Sequence, residues 1–162
     1  MTVAIRPLTL NDETFLWEML YQALYVAPGQ MPFAREVIYE PEISRYVIGW
    51  GKPDDAGIVA NDEDQRVGAA WFRLLVGDNR GYGYVDEMTP ELSLAVLPAY
   101  RGQGIGSQLL AGLLDIARPH YAGICLSVDA DNPAVKLYRR FGFEIARSHQ
   151  ASLTMVKRWT PM

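Results

Sequence analysis

Glu91-Leu-Ser-Leu-Ala-Val-Leu-Pro-Ala-Tyr-Arg-Gly-Gln-Gly-Ile-Gly106 opens as a strand, with Leu92, Leu94 and Val96 on one face, and runs past Pro98 into a glycine cluster. Beyond it Ile105, Leu109, Leu110, Leu113, Leu114 and Ala117 recur at helical spacing, so a helix is expected from Gly104 to Arg118, where Pro119 stops it. Arg101, Gly102, Gly104 and Gly106 therefore occupy a strand-to-helix junction. Without a Cβ, glycine lets backbone N–H groups turn toward an anion, and the positive end of the helix dipole favours a pyrophosphate there. A tight turn alone would use the same glycines. Two other phosphate motifs fail on spacing. A Walker loop needs Gly-Lys followed by Ser or Thr, and a dinucleotide fingerprint needs G-x-G-x-x-G in the first strand-helix unit of a parallel sheet.

Upstream, Val3 to Pro7 reads as a strand, and Asn11 and Asp12 offer caps for a helix carrying Phe15, Leu16, Met19, Leu20, Ala23 and Leu24. Pro28, Pro32 and Pro41 break the next segment into short helices, Ala34 to Tyr39 and Ile43 to Gly49. Gly57 to Ala60 and Val67 to Leu75 are two strands joined by the turn Asn61 to Gln65, and Gly83 to Asp86 is a further strand candidate. Downstream, Ile124 to Val128 is a short buried strand. Asn132 caps and Pro133 opens a helix through Phe141, Gly142 ends it, and strands follow near Phe143 to Ala146 and Leu153 to Val156. The order is mixed α/β with a largely antiparallel start.

The chain has 162 residues, 49% of them hydrophobic and 21% charged, which suits a single domain over 1–162 with one sizeable core. Fifteen Lys and Arg against nineteen Asp and Glu leave a net charge of −4, a balance that disfavours nucleic acid as a partner. The single Cys125 forms no internal disulfide, and no signal or membrane-length apolar run is present, so a cytoplasmic location is expected. Two distant histidines, His120 and His149, and one cysteine have no metal-ligand spacing. Cys125, inside an apolar strand, reads as core.

Arg101-Gly-Gln-Gly104-Ile-Gly106 resembles the R/Q-x-x-G-x-G/A cofactor loop of the GNAT superfamily of N-acetyltransferases. Asn132-Pro-Ala-Val-Lys-Leu-Tyr138-Arg-Arg-Phe-Gly142-Phe143 resembles that family's closing helix and strand, and Ile5-Arg6-Pro7 its opening strand. The resemblance implies a twisted, mostly antiparallel sheet, flanked by helices and splayed between the strand ending at Val96 and the next one, with acetyl-CoA in the gap as acetyl donor and no metal. The strand edge at Leu94, Ala95 and Val96 would pair with pantetheine. The amides of Arg101, Gly102, Gln103, Gly104, Ile105, Gly106 and Ser107 would hold the pyrophosphate.

The resemblance further implies that Tyr138 points its hydroxyl at the cofactor sulfur. A phenol of pKa roughly 10 is protonated at neutral pH and suited to act as general acid; packing beside Leu137 and Phe141 is the structural alternative. Asn132 is read first as a helix cap and second as a contact to the cofactor arm. An attacking amine must lose a proton, and Glu91 takes the position of a carboxylate base in many relatives. Its parity is opposite to that of Leu92, Leu94 and Val96, so it faces the site only if its side of the strand is the acceptor side. Asp86 and Glu87 are the alternatives. Ser127 stands where relatives that modify protein N-termini carry a glutamate.

Trp17, Tyr21, Tyr25 and Met31-Pro-Phe33 fall where the acceptor pocket is expected, with Trp71 and Tyr84 as additions. The acceptor is expected to be a small-molecule or peptide amine, neither nucleic acid nor membrane. A homodimer is expected if Tyr46, Trp50 and Trp159 are exposed. Two rival functions remain at this level: a CoA-binding sensor without catalysis, and an acyltransferase for another acyl-CoA or a peptide N-terminus.

Overall fold

The computed structural model describes residues 2–159, so Met1 and the last three residues of the 1–162 span lie outside the described residues. Seven strands form one sheet: β1 (Ala4–Pro7), β2 (Ala56–Asp62), β3 (Gln65–Arg73), β4 (Glu91–Val96), β5 (Gly123–Asp129), β6 (Glu144–His149) and β7 (Ser152–Arg158). Their order is β1-β2-β3-β4-β5-β7-β6. Every neighbouring pair is antiparallel except β4 and β5, which run parallel and touch at one register position, Glu91 opposite Cys125. Beyond that point the two strands part.

Alternation along the strands sorts the core into two layers. Ile58, Ala60, Ala70, Phe72 and Leu92 face α3 (Ile105–Ala117), whose buried residues are the six apolar positions read from its periodicity. Ala69, Trp71 and Ala95 face the other way, onto α1 (Glu13–Ala23) and the segment from residue 35 to residue 50, which contains the short helix α2 (Pro41–Ser44). The helix α4 (Ala134–Arg140) follows β5, and Gly142 ends it at φ +92°.

Three local expectations are corrected. Asp12 does not cap α1 with its side chain: its carboxylate, fully buried, is gripped by Arg6 at 2.9 Å and Arg66 at 2.7 Å and accepts the Thr9 N–H. These cations hold its pKa far below the usual carboxylate range. The helix expected over Ile43 to Gly49 is instead α2 followed by turns, because Pro41 starts it early and the carbonyls of Arg45, Ile48 and Gly49 are taken by the Arg73 guanidinium. Gly83 to Asp86 is no strand. The Gly83 N–H donates to the Glu91 side chain and Tyr84 N–H closes a turn onto Gly81, so these groups are spent off any ladder.

Tyr46 and Trp50, offered above as pairing surfaces, are 8% and 7% exposed and belong to the α1 layer, while Trp159 packs half-buried against the α3 layer. Tyr46 and Trp50 are therefore core residues rather than exposed faces. No helix among the described residues is long and apolar enough to cross a membrane.

Candidate active site

The parting of β4 from β5 opens a cleft of about 1170 Å³ lined by all of β4, by the glycine loop, by the ends of α1 and β5, and by the start of α4. One side of β4 is paired with β3. Leu97 N–H donates to Val67 O at 2.8 Å, and alternation then turns the backbone groups of Ala95 toward β3 and those of Leu94 and Val96 toward the opening. A strand edge left unpaired inside a cleft is a template for an extended ligand with amides of its own.

The loop at the cleft's end leaves its backbone amides free. Gly102 and Gly104 adopt φ +76° and +85°, and a Cβ at either would meet nothing within 4 Å. Glycine is needed here for backbone conformation, not for want of room, and the space in front stays free. Gln108 N–H makes the first bond of α3, to Gly104 O; among the described residues no amide from Gly102 through Ser107 donates to a protein group. These N–H groups sit at the positive end of a thirteen-residue helix with no acidic residue in its first turn. Gly102, Gly104, Ile105, Gly106 and Ser107 line the cleft and Gln103 does not. Arg101 lines it as a brace: its Nε donates to Val96 O at 2.9 Å and its Nη2 reaches Gln22, tying loop, strand end and α1 together.

Tyr138 lines the cleft from α4 at 6% exposure, its ring edge against Phe143, and among the described residues its hydroxyl bonds no protein group. Burial raises its pKa above the ordinary phenol range, so it stays protonated. Asn132 also lines the cleft, and its Oδ1 accepts the Ala134 N–H at 2.9 Å, a helix-capping bond. Ser127 lines it as well, sharing a 3.1 Å hydrogen bond with Ser152.

Glu91 is 3% exposed and faces the α1 layer, the side its parity required. Its Oε2 accepts the Tyr46 hydroxyl at 2.6 Å and the Gly83 N–H at 3.1 Å, while Oε1 is buried without a partner. Burial pushes its pKa up to about 7, against the lowering effects of Tyr46 and Gly83. Asp86 and Glu87 are placed differently. Asp86 is spent on Thr89, Met88 N–H and Arg158, Glu87 is exposed beside Tyr84 and Arg80, both are held below the ordinary range, and neither lines the cleft. Cys125 is buried, its thiol pushed up by burial and by Glu91.

Of the aromatics, Tyr21, Tyr25 and Phe33 line the cleft beside Pro32, Arg35 and Ile43. Trp17 stacks at a tilt on Tyr39, Met31 is exposed, and Trp71 is fully buried with its indole N–H on Tyr46 O. Tyr84 bonds Glu87 outside the cleft. Tyr46 and Tyr82 line it unforeseen. Nothing in the sequence pairs position 46 with position 91, and only the approach of the segment after α2 to β4 does so. Among the described residues no group of three or more His, Cys, Asp or Glu is arranged for a metal ion.

Residues 53–145 match the family model described as Acetyltransferase (GNAT) domain. A mycothiol acetyltransferase of Corynebacterium glutamicum (strain R) is 34% identical over 110 residues, 60% of this chain and 38% of that protein. Another, of Mycobacterium sp. (strain MCS), is 29% identical over 160 residues, 87% of this chain and 51% of that protein. The chain thus spans well under two thirds of the length of these relatives. The fold superposes on a PaiA N-acetyltransferase of Thermoplasma acidophilum, crystallised with coenzyme A, at a TM-score of 0.69 and 19% identity, covering 98% of this chain and 100% of the other. On the family match, with the splayed sheet and glycine loop beneath it, the chain belongs to the GNAT acetyltransferases.

Proposed function

We propose that this chain moves an acetyl group from acetyl-CoA to a primary amine of a small molecule by direct attack, with residues 2–159 acting as one catalytic unit. The observation that carries this reading is a cleft that combines an unpaired strand edge, a run of unpaired amides at a helix N-terminus, and a buried carboxyl group of pKa about 7. The relatives named as acetyltransferases support it. Their name, mycothiol acetyltransferase, favours a small molecule over a protein amine as acceptor.

Acetyl-CoA would supply the activated acyl group, and the free space before Gly102 and Gly104 fits its pyrophosphate. The amides of Gly102 and of Gly104 through Ser107 hold the phosphates, and the free groups of Leu94 with the Val96 N–H orient the pantetheine amides. Glu91 takes the proton that an ammonium must lose before its nitrogen can attack. A base of pKa about 7 is partly ionised at neutral pH and still basic enough to do this. Tyr138 offers its hydroxyl to the departing sulfur. Its raised pKa exceeds that of a thiol, roughly 8.5, so it steadies the thiolate by a hydrogen bond rather than by full proton transfer.

Calorimetry with acetyl-CoA, followed by thiol release across a panel of primary amines, tests the reading. Binding with amine-dependent release is expected, and absence of binding overturns it. Two substitutions divide the site. Gly104→Asp places a bulky anion where the phosphates sit and forces a side chain into φ +85°, so CoA affinity is expected to fall at least about tenfold. Tyr138→Phe is expected to lower kcat about 10–100-fold with CoA affinity kept, an effect the size of a lost hydrogen bond to a charged group. Unchanged turnover would remove the tyrosine from the chemistry.

A further inference from the structure

The carboxylate of Glu91 is held asymmetrically. Oε2 takes two donors, the Tyr46 hydroxyl and the Gly83 N–H, whereas Oε1 lies buried beneath Gly81 with none. Tyr46 is bonded on both sides: it donates to Glu91 and accepts the Tyr82 N–H at 2.7 Å. Two successive amides, of Tyr82 and Gly83, thus meet the carboxylate, the first through Tyr46 and the second directly. Space enforces the arrangement. A Cβ at Gly81 would collide with Glu91 Oε1 and the Tyr46 hydroxyl, and one at Gly83 would fall 2.6 Å from the Leu126 carbonyl carbon. Tyr82 itself lines the cleft, so the loop bonded to Glu91 also borders the acceptor space.

We propose that Tyr46 is a positioning residue for the base: it ties Glu91 Oε2 to the loop at Tyr82 and Gly83, and so fixes the carboxylate that takes the proton of the acceptor amine. The balance is simple. The N–H bond of the ammonium breaks, an O–H bond forms on the Glu91 carboxylate, directly or through one water, and the nitrogen keeps the electron pair with which it attacks. Tyr46 does not ionise in this step, since burial and the neighbouring carboxylate raise its pKa well above the ordinary phenol value. The other groups that bear on Glu91 are Arg147 from β6, Arg45 from the segment after α2, and the Cys125 thiol from β5. None of these bonds Oε1.

This inference rests on the acetyl-transfer reading for the fate of the proton, yet its geometry is testable without turnover. The probe is the carboxyl carbon of Glu91 in ¹³C-glutamate-labelled protein, followed by NMR through pH and assigned by its loss in Glu91→Gln. Tyr46→Phe removes one hydroxyl and leaves the ring in place. The Glu91 midpoint is then expected to rise by about one pH unit, because a donor to the ionised form is lost, and the acid limb of kcat/KM moves with it while KM for acetyl-CoA stays. 3-Fluorotyrosine at position 46, a stronger donor of the same shape, moves the midpoint down and keeps the test valid if the phenylalanine variant folds poorly. A midpoint unmoved by both replacements overturns the proposal. Absence of thiol release from every amine would instead sink the acetyl-transfer reading while the titration still decided the geometry.

Discussion

Glu91→Gln is expected to lower kcat/KM for the acceptor amine about 10²–10⁴-fold near neutral pH without loss of acetyl-CoA affinity, and to make the folded protein more stable at the same time. The first effect follows from losing the only carboxyl group among the described residues that both lines the cleft and has its pKa raised by burial, to about 7. In the native protein, activity should climb as pH rises through about 7 and the proton leaves Glu91; the glutamine variant should lack that limb.

The second effect has the opposite sign from the usual carboxylate. Folding raises the pKa of Glu91 from 4.5 to about 7, so between these values the native state binds a proton that the unfolded state has released. Stability from this group is therefore full below pH 4.5 and is lost as pH rises to 7, a loss of about 3 kcal/mol. Glutamine carries no charge to bury, although its amide leaves one donor unpaired at a cost of about 1–3 kcal/mol. A net gain on the order of 1 kcal/mol at pH 8, turning into a net loss on the order of 2 kcal/mol below pH 5, is the expected result in urea unfolding. A variant that keeps its activity would dismiss Glu91 as base, and one less stable at pH 8 would contradict the raised pKa.

Asp55→Ala carries the largest expected cost to stability. Arg73 lies at the end of β3 with its side chain 5% exposed, and Asp55 holds it through both carboxylate oxygens at 3.0 and 3.1 Å. The same guanidinium gathers the carbonyls of Arg45, Ile48 and Gly49, which fixes the turns after α2. Removing the carboxylate leaves a buried cation with no counter-charge, a change that typically costs about 3–5 kcal/mol. The midpoint of urea unfolding should fall accordingly, with the slope unchanged. Because Tyr46 belongs to the segment that Arg73 fixes, the variant should also lose turnover at temperatures where it remains folded. A loss below about 1 kcal/mol would show that the three carbonyls satisfy Arg73 without its partner.

Much of the fold was legible because its signals are local. The apolar spacing of α3, the alternation in β4 and the glycines before Gly106 each depend on residues a few positions apart, and the structure places them as those spacings require. The same holds for the residues of the glycine loop, whose positive φ values need glycine whatever surrounds them. Local signals failed where a distant group overrode them. Gly83 to Asp86 has the composition of a strand but spends its N–H on Glu91, and Asp12 stands at a helix start but answers to Arg6 and Arg66.

By itself, then, the sequence determined the seven strands and main helices, the family, and the glycine loop at the start of α3, since all three are written in contiguous residues. Only the tertiary structure decided which acid faces the cleft, that Tyr46 rather than Trp71 or Tyr84 reaches it, and that Tyr46 and Trp50 are core rather than surface. These depend on β4 parting from β5 and on a segment 45 residues away folding back over it. The reason is physical: burial and hydrogen-bond partnership are set by what packs across the chain, and they move the pKa of Glu91 while its neighbours in sequence stay the same.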